Sequence, residues 1–278
     1  MRAVIVLGAV GVAGIAAAGQ MTSRPATRVL AVYPSAAEVP ANLLRFYVEF
    51  SAPMREDVAL DHVRLMDDSG RVVQGAFLEL REELWDPARR RLTLLLDPGR
   101  IKRGLRSNQE MGSALVEGRK YRLIIGGDWP DATGRQLAGP HESRFRVGTA
   151  DRTPPRPEAW NVLAPREATR DPLRVRFEKP LDHALAAVLL RPVDDRGVID
   201  GRVTLADDDQ VWLFTPTLPW RPPVVLQIDP RLEDLAGNSI ARAFDVDRQS
   251  ELSRAETTAS VGRGSLRIQL LARDTNAK

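Results

Sequence analysis

Leu43-Leu44-Arg45-Phe46-Tyr47-Val48-Glu49-Phe50-Ser51-Ala52-Pro53-Met54 sets the structural class of the chain. Leu44, Phe46, Val48 and Phe50 alternate with Leu43, Arg45, Tyr47 and Glu49, the period of two that marks a strand with one buried face. The same period continues outward. Val63 and Leu65 lead into Asp67-Asp68-Ser69-Gly70, a turn, and then Val72-Val73. Leu92 to Leu96 is closed by Asp97-Pro98-Gly99. Tyr121 to Ile125 precedes a second turn, Asp131-Ala132-Thr133-Gly134, and Phe145-Arg146-Val147 follows it. Short strands punctuated by turns at such intervals indicate a sandwich.

Residues 151–160 include Pro154, Pro155 and Pro157, which resist both helix and ladder and read as a stiff linker or the approach to a new strand. Beyond them the pattern restarts. Leu173-Arg174-Val175-Arg176-Phe177 matches Phe46–Phe50, Pro180-Leu181 echoes Pro53-Met54, and Val193 to Gly197 matches Met66 to Gly70. Phe50 to Gly70 and Phe177 to Gly197 are each twenty residues, so the halves keep register. Val211 to Phe214 matches Leu92 to Leu95, Val224 to Ile228 matches Tyr121 to Ile125, and Asp234-Leu235-Ala236-Gly237-Asn238 matches the Asp131 turn. Phe244-Asp245-Val246 is expected to close the second copy as Phe145–Val147 closes the first. An internal repeat of this length implies two domains.

Each half resembles the SbsA-type Ig-like family of bacterial surface-layer and envelope proteins. Pro34, Phe50-Ser51-Ala52-Pro53-Met54, Asp67–Gly70, Asp131–Gly134 and Phe145 carry the resemblance in the first half. Pro165, Phe177-Glu178-Lys179-Pro180-Leu181, Asp194–Gly197, Asp234–Asn238 and Phe244 carry it in the second. The second half departs at Glu178 and Leu181, and the first lacks the Asn after Gly134. These are turn and core residues, specific for fold and nearly silent on function. The resemblance implies an all-β fold, and with the apolar N-terminal run the chain reads as two tandem Ig-like β-sandwich domains after an N-terminal signal peptide. The expected division is 1–18 signal peptide, 28–149 domain 1, 155–248 domain 2, and 249–278 a C-terminal tail with a candidate extra strand at Leu266–Leu270.

Composition narrows the function. The 278 residues include no cysteine, which removes disulfides, zinc–thiolate sites, iron–sulfur clusters and thiol catalysis. Forty basic and 37 acidic side chains are interspersed, for a formal charge of +3, so no nucleic-acid footprint is evident. Residues 3–19 carry no charged or polar side chain and end on Ala16-Ala17-Ala18, a secretory signal pattern. An uncleaved anchor is the second reading, and the only expected tie to a membrane. Gly8, Gly11 and Gly14 follow an apolar run but lack the G-x-G-x-x-G spacing, and no second βα unit follows, so a dinucleotide turn is rejected.

The copies differ most between Asp97 and Tyr121. Arg100, Lys102, Arg103 and Arg106 make this insertion basic, a candidate loop for an anionic partner or simply a solvated cover over the sandwich end. Catalytic devices are poorly represented. His62 follows Asp61 and His183 follows Asp182, but neighbours on a strand face opposite sides, so surface histidines are expected. Asp128 and Asp131, and Asp229, Glu233 and Asp234, suit calcium by residue type, although turn aspartates ordinarily bond their own backbone. Asp207-Asp208-Asp209 reads as a solvated hairpin tip, and Glu79, Glu82, Glu83 and Asp86 as an acidic run with no sugar cleft. The expectation is an exported, non-enzymatic structural or interaction module of the cell envelope, needing no cofactor and binding a protein or glycan, in the periplasm, at the cell surface or secreted. The alternative is a periplasmic binder of a small ligand or of copper or calcium.

Overall fold

The computed structural model describes residues 25–56, 58–101, 112–242, 244 and 265–271. The 1–18 signal segment lies outside them. The chain is an all-β sandwich protein in which one sheet plan occurs twice. In the first half β1 (Val29–Tyr33), β3 (Arg45–Phe50), β5 (Leu84–Trp85) and β6 (Arg91–Leu95) form a sheet in the order β1-β3-β6-β5. In the second half β9 (Asn161–Leu163), β10 (Leu173–Arg176), β13 (Gly201–Ala206) and β14 (Val211–Pro216) repeat that order as β9-β10-β14-β13.

The facing sheets correspond too. The first contains β2 (Glu38–Pro40), β4 (Val63–Asp67), β7 (Lys120–Ile125) and β8 (His141–Gly148), ordered β2-β8-β7-β4, with β2 parallel to β8. The other contains β11 (Leu190–Asp194), β12 (Gly197–Val198), β15 (Val224–Ile228) and β16 (Leu266–Leu271), ordered β12-β11-β15-β16. A short helix precedes the matching strand in each half: α1 (Ala59–His62) before β4 and the longer α3 (His183–Leu189) before β11. A third short helix, α2 (Pro98–Ile101), opens the insertion of the first half.

Period-two burial produces the two cores. Phe46, Val48 and Phe50 of β3 pack inward with Leu92, Leu94, Leu123 and Trp129. Leu173, Val175, Trp212, Phe214 and Trp220 are their counterparts in the second core. The alternation fails in one informative place. Tyr47, on the other face of β3, is only 5% exposed, because the second half covers that face.

The turns follow one chemical recipe. Asp67 Oδ1 accepts the amides of Ser69 and Arg71 at 3.0 and 2.9 Å, and Asp131 Oδ1 accepts those of Thr133 and Arg135 at 2.9 and 3.1 Å. Asp234 Oδ1 does the same for Ala236 and Asn238, each at 2.9 Å. The glycine that ends each turn has positive φ, +81° at Gly70, +83° at Gly134 and +80° at Gly237, where a Cβ is penalised. Each of the latter two aspartates also bridges to the residue after its half's Phe-x-x-Pro segment, Met54 with Asp131 and Leu181 with Asp234.

Two expectations are corrected. Phe244 belongs to no strand; its amide bonds Asn238 Oδ1 at 2.9 Å and its ring packs against the core of the first half. Asp245 and Val246 lie outside the described residues. The position beside β15 that Phe244–Val246 was expected to fill is taken by β16, antiparallel to β15 as β8 is to β7. The Asp207–Asp209 loop is not wholly solvated either. All three residues have positive φ, and the last turns inward to 3% exposure.

Two of these turn glycines, Gly134 and Gly237, differ in what surrounds them. A Cβ at Gly134 would meet nothing within 4 Å, whereas one at Gly237 would lie 2.5 Å from Leu44 Cδ2 of the other half. Gly134→Ala should therefore cost about 1 kcal/mol, from φ alone. Gly237→Val adds the displacement of Leu44 and should cost clearly more than about 1 kcal/mol. Equal denaturation midpoints for the two variants would contradict this account.

Candidate functional site

The densest cluster of buried polar chemistry lies where the two sandwiches meet. It begins with α3. Asp182 caps this helix, its Oδ1 accepting the Leu185 amide at 2.9 Å, and it is 2% exposed. Its carboxylate also accepts the Tyr47 hydroxyl, 2.8 and 2.9 Å from its two oxygens, and lies 3.4 Å from Arg45 Nε. Arg45 reaches on to Glu233. A buried carboxylate is tolerable only when its lone pairs are answered, and here the other half answers them.

A second cation stands behind the first. Lys179 Nζ sits 2.6 Å from Asp234 Oδ2 and 2.7 Å from Asp151 Oδ2, and it also donates to the Thr153 carbonyl. Asn42 exchanges two bonds with the Asp151 backbone, donating to its carbonyl at 2.6 Å and accepting its amide at 2.8 Å. Asn238 donates to that same carbonyl at 3.1 Å. Leu44 N–H donates to Leu235 C=O at 2.9 Å, a main-chain link between the halves. At the other end Tyr33 stacks on His183 with centroids 3.4 Å apart, and His183 Nδ1 is 2.8 Å from buried Asp209.

Burial governs the electrostatics of this seam. It raises Tyr47 well above the ordinary phenol range, helped by the Asp182 charge. It also raises Glu233 and Asp234, despite Arg45 and Lys179 beside them. For Arg45, burial is the largest influence and works against the charge, but Asp182, Tyr47 and Glu233 together outweigh it, and the pKa rises. Asp151, less buried, is held low because its bonds to Lys179 and Thr153 overcome burial. An open cleft of about 460 Å³ borders the seam, lined by Glu38, Pro40, Asp151, Lys179, Asp208 and Leu235 among others.

The residues singled out by sequence fall in several places. Arg100 is 5% exposed and its guanidinium donates to the carbonyls of Gln74, Gly112 and Ser113, with burial lowering its pKa. Lys102, Arg103 and Arg106 lie outside the described residues. The histidines expected at the surface are half-buried: His62 stacks on Trp129 beside Asp128, not Asp61, and His183 pairs with Asp209, not Asp182. Asp229, Glu233 and Asp234 point to three different partners, Arg231, Arg45 and Lys179. Among the described residues no group of three His, Cys, Asp or Glu could hold a metal ion. Glu83 accepts the Ala59 amide and Trp85 Nε1, each at 2.6 Å, so it braces α1. Sequence reading missed the seam itself. Its available signals were a tyrosine on the polar face of a core strand and Lys179 where the first half has Ala52.

Two predictions follow from these contacts. Tyr47→Phe removes a hydrogen bond to a buried carboxylate and should cost about 1.5–3 kcal/mol in chemical denaturation. Lys179→Met leaves Asp234 without its cation and should cost about 3 kcal/mol or more. Acid should act unevenly. Asp67 is held far below the usual carboxylate range by the Ser69 hydroxyl and the Arg71 amide; in Asp131 burial is outweighed by the hydroxyls of Thr133 and Thr27. Their stabilisation is present above an ordinary carboxylate pKa of about 3.9 and fades as pH falls below it. Glu233 and Asp234, with raised pKa values, instead shed an unfavourable charge on acidification and gain stability. Hydrogen exchange on acidification should thus open the amides of 69–71 and 133–135 before that of Leu44.

No known sequence family matches the chain, and no curated protein matches it. Solved structures are similar at a low level. The S-layer protein rSbsC(31-844) is 14% identical over 73% of this chain and 23% of that one, with a TM-score of 0.31. Native alpha-2-macroglobulin from Escherichia coli spanning domains MG0-NIE-MG1 is 10% identical over 90% and 91%, with a TM-score of 0.29. SGBP-B from a xyloglucan utilization locus in Bacteroides uniformis is 13% identical over 74% and 46%, with a TM-score of 0.24. The chain spans 23–40% of the length of the S-layer structures it matches, and scores at this level carry no functional argument.

Proposed function

We propose that the chain is an exported, non-enzymatic module of the bacterial cell envelope, two tandem Ig-like sandwiches that act as one stiff unit and present their outer surfaces to a protein or glycan. In this reading residues 1–18 are the export signal, 28–149 and 155–248 the two domains, and 249–278 a tail whose strand completes the second. The observation that carries the proposal is the seam. Directional bonds from Tyr47, Arg45, Asn42 and Leu44 to Asp182, Glu233, Asp151 and Leu235 join the halves through side chains and backbone alike. Two domains tied only by a linker would move independently, whereas a well-bonded interface fixes their spacing. The most evident acid–base candidates, Asp182 with Tyr47 and His183 with Asp209, are committed to this junction.

Small-angle scattering and NMR relaxation of the chain from Gly19 onward would test the proposal. A single tumbling time for both halves, lost in the Lys179→Met variant, is expected. Independent tumbling in the wild type would remove the stiff-unit reading. Saturable binding of calcium or copper would move the assignment to a periplasmic binder.

A further inference from the structure

The outer face of the β2-β8-β7-β4 sheet sets like charges directly against each other. In the β7–β8 register Lys120 stands opposite Arg146, and Arg122 opposite Arg144. Opposed like charges on antiparallel strands weaken a sheet, and residues two apart along a strand are separated by roughly 7 Å. The result is a two-by-two block of cations at the rim of a shallow depression of about 460 Å³. Few acids answer them. Glu142 is shared, 3.4 Å from Arg122 and 2.5 Å from Arg144, and Glu38 lies 3.9 Å from Arg146. Asp67 and Asp68 also line the depression, but both pair with Arg119. Lys120 forms no ion pair among the described residues.

The repeat supplies the control. Val63 opposite Ile125 corresponds to Leu190 opposite Ile228, so Arg122 corresponds to Val225, whose neighbour on β16 is Gln269. Lys120 corresponds in the same register to Pro223. The fold therefore does not require these cations, and the second copy lacks them. The depression also offers no aromatic platform to nucleic-acid bases, since Tyr121 and Phe145 are 2% and 5% exposed.

We propose that this face binds an acidic polysaccharide, seating successive carboxylates between the opposed cations of β7 and β8. Glu142 is the internal precedent: one carboxylate already spans two guanidinium groups there, and guanidinium forks favour such pairing. The proposal names the glycan class for the envelope-module reading and rests on it.

Isothermal titration of the chain with polygalacturonate tests the assignment. Saturable binding that weakens with salt is expected. Arg122→Gln/Arg144→Gln should weaken it at least about tenfold, with an unchanged or raised melting midpoint. Arg191→Gln/Arg267→Gln, on the corresponding face of the second half, should bind as the wild type. Absence of saturable binding, or equal loss in both double variants, would overturn the site. Tighter binding of charge-matched polyphosphate would overturn the carboxylate assignment. None of these outcomes changes whether the halves tumble together, so the two proposals fail separately.

Discussion

Asp182 is a carboxylate withdrawn almost entirely from water, and the arrangement of the two sandwiches depends on satisfying it. Left uncompensated, a buried charge costs several kcal/mol, so the first half can cover Asp182 only in an orientation that answers its lone pairs. Tyr47 and Arg45 come from the central strand of one sandwich, while the helix that Asp182 caps introduces β11 of the other. Helix capping inside one domain and orientation between domains are therefore one constraint. A hydrophobic interface of similar extent would tolerate sliding; hydrogen bonds of fixed direction do not.

The duplication separates what the fold needs from what it merely carries. Both copies keep the central strands, the aspartate turns and the tryptophan-rich core. They diverge on their surfaces and at their mutual contact. Asp182 of the second half bonds Tyr47 of the first, Lys179 ties Asp234 to Asp151 of the linker, and the β7–β8 cations occur only on the first. A repeated scaffold thus supports two faces with different chemistry on the same order of central strands.

Much of the fold was legible because it rests on local rules. Period-two alternation identified β3, β6, β7, β10, β14 and β15, and Asp-x-x-Gly marked turns that do place glycine at positive φ. The junction was not legible, because each of its members has an ordinary local reading. Asp182 reads as the strand neighbour of a surface histidine, Tyr47 as the outward residue of a strand, and Asp209 as a solvated loop tip. Their burial comes from a surface far away in sequence. Phe244 misled for a related reason: an aromatic beside an acid, ten residues after the turn aspartate, looks like the start of a closing strand, yet its ring covers the other half's core. Arg100 illustrates the reverse case, a charge in a basic, glycine-bearing loop whose guanidinium turns inward to three backbone carbonyls.

The origin of β16 has a consequence for how the protein is made. In the first half the strand beside β7 follows it after residues 126–140, so the strands of that sandwich are all present once residue 148 has been made. In the second half the strand beside β15 comes from residues 266–271, well beyond the turn that ends the second repeat. Until then β15 presents an open row of amides and carbonyls, the kind of edge that recruits strands from other chains. During synthesis that edge stays uncovered until residues 266–271 have been made, so the second sandwich remains open for longer after its central strands exist than the first does.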